Sequence, residues 1–158
     1  MQVRPSNSYG YGFISEPFLP AGEDEYYLRN AQVNKPLDTW RKLTADEIDI
    51  LTAAGNTSDN WENVLVADGF DPHKVRNCQF VGLVRLGRLD DLCLEHEGFV
   101  IPVGLSDSTI ISCDIGDNVA IHNVRYLAHY IIADEVILTN VAEMFLSLIH
   151  ISEPTRPY

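Results

Sequence analysis

The chain has 158 residues, of which 46% are hydrophobic and 22% charged, a balance that suits one domain with a buried core and excludes disorder throughout. A formal net charge of −12 repels polyanions, so neither nucleic acid nor an anionic membrane is an expected partner. The cysteines Cys78, Cys93 and Cys113 are odd in number and lack a CxxC pair, which speaks against a disulfide framework or a zinc site and for a reducing cytoplasm.

The first 37 residues hold no sustained period and read as an irregular arm. Its opening, MQVRPSNSYGYGF, lacks the apolar core of a secretory signal. Its aromatics Tyr9, Tyr11, Phe13, Phe18, Tyr26 and Tyr27 either pack on the following domain or on a neighbouring subunit, or belong to a partly ordered tail. Residues 38–74 read as a helical cap. Thr44 with Glu47 forms a capping box, Ile48, Leu51 and Ala54 supply an apolar face, and Gly55 suits the position just past the helix end. Trp61–Ala67 is a second short element of open type, and Asp68–Pro72 is a turn.

Aliphatic–glycine pairs at Val81-Gly82 and Leu86-Gly87 suggest opening coils of a β-solenoid over 75–145. Asp90–Gly98 alternates and reads as a strand ending in a turn. From Ser108 to Val141 aliphatic residues return every six positions. The units open at Ile115, Ile121, Leu127, Ile132 and Leu138, with a one-residue slip before Ile132. This period predicts one short strand per unit, with the first and fifth residues inward and Asp, Asn or Gly turning the corners. The fifth positions are Val119, Arg125, Ile131, Val136 and Ala142.

Residues 146–158 break the pattern. Leu146–Arg156, LSLIHISEPTR, resembles the in-frame translation of a transposase-type sequencing adapter and is set aside as an artefactual tail. A junction in mid-repeat implies a natural chain that continues past about Phe145 and a fragment that aggregates or stays partly unfolded when expressed alone.

The hexads Ile115-Gly-Asp-Asn-Val and Ile132-Ala-Asp-Glu-Val resemble those of the hexapeptide-repeat proteins. That superfamily implies a left-handed parallel β-helix, a homotrimer, and activity as an acyltransferase or sugar-nucleotide enzyme; the hand comes from the resemblance, because general connection rules favour a right-handed crossover. More closely, Trp40-Arg-Lys-Leu-Thr, Arg76-Asn-Cys and Gly82-Leu-Val-Arg-Leu-Gly-Arg-Leu resemble the amino-terminal part of the DUF4954 family of long bacterial proteins, over roughly 40–144. That likeness brings no established activity.

If a ligand site lies within this stretch, the candidates are His122, Asn123, Arg125 and His129. A histidine suits general-base work on a sugar hydroxyl, and an arginine at a nominally inward position suits a ligand phosphate. The alternative is that both histidines are solvated and Arg125 marks an irregular coil. Arg85 and Arg88 read as outward strand positions or an anion-binding edge, and Asp114, Asp117 and Asp134 as corner residues. No motif for a metal, nucleotide phosphate or dinucleotide cofactor stands in context. The two functional expectations are therefore a transferase-like protein that binds a sugar or nucleotide-sugar, and a non-enzymatic scaffold.

Overall fold

In a computed structural model the described residues are 1–6, 9, 25–33 and 35–145. The chain is mainly β. Its strands are β1 (Trp40–Lys42), β2 (Thr57–Ser58), β3 (Val64–Ala67), β4 (Val75–Arg76), β5 (Gln79–Val81), β6 (Val84–Leu86), β7 (Cys93–His96) and β8 (Phe99–Pro102). They continue with β9 (Gly104–Ser106), β10 (Thr109–Ile111), β11 (Asp114–Ile115), β12 (Ala120–Val124), β13 (Leu127–Ala128), β14 (Ile131–Ile132), β15 (Ile137–Val141) and β16 (Met144–Phe145). Two helices, α1 (Glu25–Val33) and α2 (Ala45–Ala53), precede most of them.

Three sheets hold all but the hairpin β7–β8. Sheet 1 runs β1-β3-β6-β11-β14, sheet 2 runs β2-β5-β10-β13-β16, and sheet 3 runs β4-β9-β12-β15. From β2 onward, leaving out the hairpin, the chain visits sheet 2, sheet 1 and sheet 3 in unbroken rotation, and every such pairing is parallel. Only β1 joins antiparallel, Trp40 opposite Ala67. Successive circuits place Ile110 beside Leu127, Ile115 beside Ile132 and Ile121 beside Leu138, a step of seventeen residues. Three hexads less one residue make that step, which is the physical origin of the slip before Ile132.

The unit-opening residues Ile115, Ile121, Leu127, Ile132 and Leu138 are all buried and stack along the core with Phe80, Leu86, Leu105 and Ile110. Each such side chain, fully buried, contributes about 1.5–3 kcal/mol. The second inward position departs from expectation. Val119 is buried and Val136 packs partly on the core, but Arg125, Ile131 and Ala142 are exposed. The inward place goes instead to the residue that follows a left-handed corner: Asn77 precedes Cys78, Ser112 precedes Cys113, Asn118 precedes Val119, and Asn123 precedes Val124. His129, Glu135 and Asn140 likewise precede Tyr130, Val136 and Val141, which pack on the same core. A positive φ rotates the chain by one pleat, so the corner's position and not a strict count of six decides which side chain turns in. At Arg125 the corner comes one residue early, and Val124 is the buried one.

Two other expectations change. The arm contains the helix α1, and Asp90–Gly98 is only half of an element. Glu97 and Gly98, both with positive φ, turn β7 back into β8, whose Phe99 faces His96 and Pro102 faces Cys93. Two successive positive-φ residues match the right-handed twist of a tight hairpin. The helix α2 forms as expected: Thr44 Oγ1 accepts from Glu47 N at 3.2 Å and Glu47 Oε1 from Thr44 N at 2.9 Å. Gly55 follows at φ +86°. Tyr9 shares a hydrogen bond with Tyr126. Tyr11, Phe13, Phe18 and the tail 146–158 lie outside the described residues, as do the side chains of Tyr26 and Tyr27.

Candidate functional site

His122 stands on the outward face of sheet 3, in register with Ser106 on one side and Thr139 on the other. Its Nδ1 lies 2.6 Å from Ser106 Oγ and its Nε2 lies 2.8 Å from the carbonyl oxygen of Pro102. A carbonyl only accepts, so the neutral ring carries its proton on Nε2 and accepts a hydrogen bond from the Ser106 hydroxyl at Nδ1. Both nitrogens are thereby engaged, and the imidazole ties the hairpin's last residue to sheet 3.

Asn123 turns the corner from sheet 3 to sheet 2 at φ +57°, and its Nδ2 donates to Asn140 Oδ1 at 2.9 Å. One step away on the same corner, Asn77 donates to Asp107 at 3.3 Å. His129 sits at the next corner, between sheets 2 and 1, at φ +65°. Burial, with the Arg29 guanidinium a second cause, lowers its pKa to about 4. The four predicted residues therefore do not form one constellation: His122 faces out from sheet 3, Asn123 and Arg125 flank one corner, and His129 occupies another.

Arg125 alone enters a groove of about 440 Å³. Thr57, Asn77, Gln79, Asp107, Thr109 and Arg125 give that groove its polar wall, in which Thr57, Gln79 and Thr109 are direct register partners on sheet 2. The Arg125 guanidinium makes no hydrogen bond or ion pair among the described residues. Parallel stacking gathers these side chains from positions up to sixty-eight residues apart, and no short motif marks them.

A second polar cluster is fully buried. Arg85 donates to Asp114 through Nε and through Nη2 at 2.9 Å, while Arg29 of α1 donates to the same carboxylate at 2.8 Å. Arg29 also reaches the Leu83 carbonyl at 2.7 Å, Arg85 donates to Asn30 at 2.6 Å, and the Arg85 guanidinium stacks 4.5 Å from the Trp40 ring centroid. Arg85 does occupy an outward strand position, between core-facing Val84 and Leu86, but α1 covers it, and Asp114 is its register partner in β11 and not a corner residue; both are 2% exposed. Asp117 and Asp134 do mark a corner, where Asp134 Oδ1 accepts from Asp117 N at 2.7 Å and Asp117 Oδ1 from Arg88 N at 2.8 Å. The thiols Cys78 and Cys113 are buried, which pushes their pKa values to about 12 and about 11; Cys93 is exposed, and all three are free. Among the described residues no three His, Cys, Asp or Glu side chains are grouped to hold a metal, and no helix is long and apolar enough to cross a membrane.

The family model for DUF4954, a domain of unknown function, matches residues 40–149, from the first strand through the last described one. The chain belongs to this family. An uncharacterized protein of Treponema pallidum (strain Nichols) is 45% identical over 144 residues, covering 91% of this chain and 20% of that relative. The chain thus spans about a fifth of the length of the relative it matches. No solved structure matches it.

Proposed function

We propose that this DUF4954 segment forms the opening coils of a left-handed parallel β-helix of the hexapeptide-repeat type and binds a sugar or nucleotide-sugar in the groove beside Arg125. The observation that carries the reading is the groove itself: a ligand-sized space of about 440 Å³ with hydroxyl, amide and carboxylate side chains on its wall and an uncommitted guanidinium. Hydroxyl and amide groups suit a sugar's ring hydroxyls, and a guanidinium forks onto a phosphate. The rotation of the chain through three parallel sheets supports the helical architecture, and the superfamily resemblance supports its hand and a homotrimer.

Binding is favoured here over transfer chemistry at His122. For that imidazole to take a substrate proton, its one lone pair, at Nδ1, would first have to release the Ser106 hydroxyl. The test is calorimetric titration of the full chain with a uridine diphosphate sugar and with the free sugar, repeated for Arg125→Ala. A charge-assisted contact of about 1.5–3 kcal/mol predicts a loss of roughly 10- to 100-fold for the nucleotide-sugar and little change for the free sugar. Equal affinity of both proteins for the nucleotide-sugar, or no heat from either ligand, transfers the case to the non-enzymatic scaffold.

A further inference from the structure

The side chains along the Arg125 groove form a straight ladder. In sheet 2 Thr57 stands opposite Gln79 and Gln79 opposite Thr109, and Gln79 and Thr109 each precede a core residue, since Phe80 and Ile110 are fully buried. Alternation along a strand therefore turns Thr57, Gln79 and Thr109 outward, one per coil, at a spacing of about 4.8 Å. Thr57 and Gln79 are exposed and Thr109 is half-buried, and none of the three side chains makes a hydrogen bond among the described residues. Arg125 belongs to the next coil, whose Leu127 lies beside Ile110, so the row from Thr57 to that coil covers three spacings, roughly 14 Å. No part of the row is a final edge: β13, which follows Arg125, is itself paired with β16.

Two properties narrow the ligand. No aromatic side chain among the described residues lines the groove, so a nucleobase finds no ring to stack on. Ring hydroxyls, in contrast, meet the Thr57 and Thr109 hydroxyls, the Gln79 amide and the Asp107 carboxylate, to which the Asn77 amide donates at 3.3 Å. A single guanidinium stands in the groove, and a chain with a formal net charge of −12 repels a ligand charged along its length, so the ligand carries one oxyanion.

Resting on the sugar reading above, we infer that the ligand is a straight oligosaccharide of about three sugars that ends in one phosphate or carboxylate. The oxyanion sits on Arg125, and successive rings lie against Thr109, Gln79 and Thr57, one per coil. A straight ladder takes a straight ligand, so an extended β-1,4-linked chain fits where a coiled α-1,4-linked chain curves away after the first ring. The parallel sheet supplies the period, because equivalent side chains recur at the strand spacing, close to the length of one pyranose ring in such a chain. Hydroxyls and an amide that have no partner within the protein are then satisfied by ring hydroxyls, which both donate and accept.

The experiment is calorimetric titration of the full chain with the 1-phosphates of glucose, cellobiose and cellotriose, with the aldonic acids of the same chain lengths, and with neutral cellotriose. Affinity is expected to rise by about two- to tenfold with each added sugar, and neutral cellotriose to bind roughly 10- to 100-fold more weakly than its 1-phosphate. The series that shows the gain identifies the oxyanion as phosphate or carboxylate. Thr57→Val abolishes the gain from the third sugar, and Gln79→Ala that from the second. Equal affinity across the three lengths in both series overturns the inference; a uridine diphosphate sugar that still binds through Arg125 then leaves the sugar reading standing without it. Neutral cellotriose binding as tightly as its 1-phosphate overturns the anchored end. Equal weakening of the one-sugar and three-sugar phosphates by Thr57→Val also overturns the inference, because it shows a disturbed groove and not a lost contact. No heat from any of these ligands or from the nucleotide-sugar overturns both readings. Both substituted side chains are exposed, and unchanged far-ultraviolet dichroism confirms that each variant folds.

Discussion

Replacing Asp114 by asparagine preserves its shape and removes the negative charge that two buried guanidiniums share. Side-chain exposure is 3% for Arg85, 5% for Arg29 and 3% for Asp114, so water cannot take over the lost role. Breaking a buried ion pair from one side costs about 3–5 kcal/mol, a large part of the roughly 5–15 kcal/mol that holds a typical domain folded. At about 2–4 °C per kcal/mol the melting temperature of Asp114→Asn falls by roughly 6–20 °C. Calorimetry of the wild-type chain, Asp114→Asn, Arg29→Met and the double variant apportions the loss, since contact between the two groups makes the double variant less damaged than the sum of the singles. Arg29 belongs to α1, so its removal also detaches the arm, and limited proteolysis between residues 25 and 39 accelerates in both single variants. A loss under about 1 kcal/mol for Asp114→Asn refutes the buried cluster as a stabilising clasp.

Other outcomes follow from the same coordinates. At Gly116 an added Cβ meets the Ala133 carbonyl carbon at 2.6 Å and the Asp134 amide nitrogen at 2.7 Å, backbone atoms that cannot step aside, so Gly116→Ala destabilises by about 1–3 kcal/mol in chemical denaturation; an unchanged midpoint contradicts the close stacking of coils. His129 is held neutral when folded, its pKa lowered to about 4, and binds a proton more readily when unfolded, where about 6.5 applies. Its contribution is therefore complete above pH 6.5 and declines as pH falls to 4, by about 1–2 kcal/mol after screening. His129→Asn, which tolerates the corner's positive φ, flattens the melting profile in that window. Glu47, hydrogen-bonded by Arg41 and the Thr44 amide, has its pKa lowered to about 2, so the capping box weakens only as pH falls from about 4.5 toward 2. Glu47→Gln removes that acid sensitivity at a cost of about 1 kcal/mol near neutral pH. Iodoacetamide at neutral pH labels Cys93 alone in the native chain and all three cysteines after denaturation; rapid native labelling of Cys78 or Cys113 contradicts their burial.

The local syntax of the sequence carried much of this structure. The capping box at Thr44 and Glu47 is a contact between residues three apart, so the helix α2 is legible without any knowledge of its neighbours. The six-residue return of Ile115, Ile121 and Leu127 likewise marks stacked strands, because each inward side chain must meet an equivalent one circuit away. What escaped depended on where corners fall and on what the stacking brings together. Asn123 takes positive φ one residue early, which buries Val124 and turns Arg125 out, a choice that no count of six residues encodes. Arg85 and Asp114 are twenty-nine residues apart and Arg29 is eighty-five from Asp114, so their meeting is a property of parallel register and of α1 lying on sheet 1. The groove at Arg125 has the same origin. Sequence determines which residues are able to turn, cap or stack, since those are contacts within a few positions. Tertiary structure alone decides which charges share a buried site and which side chains wall a groove, because that depends on a seventeen-residue step set by the closure of the coil.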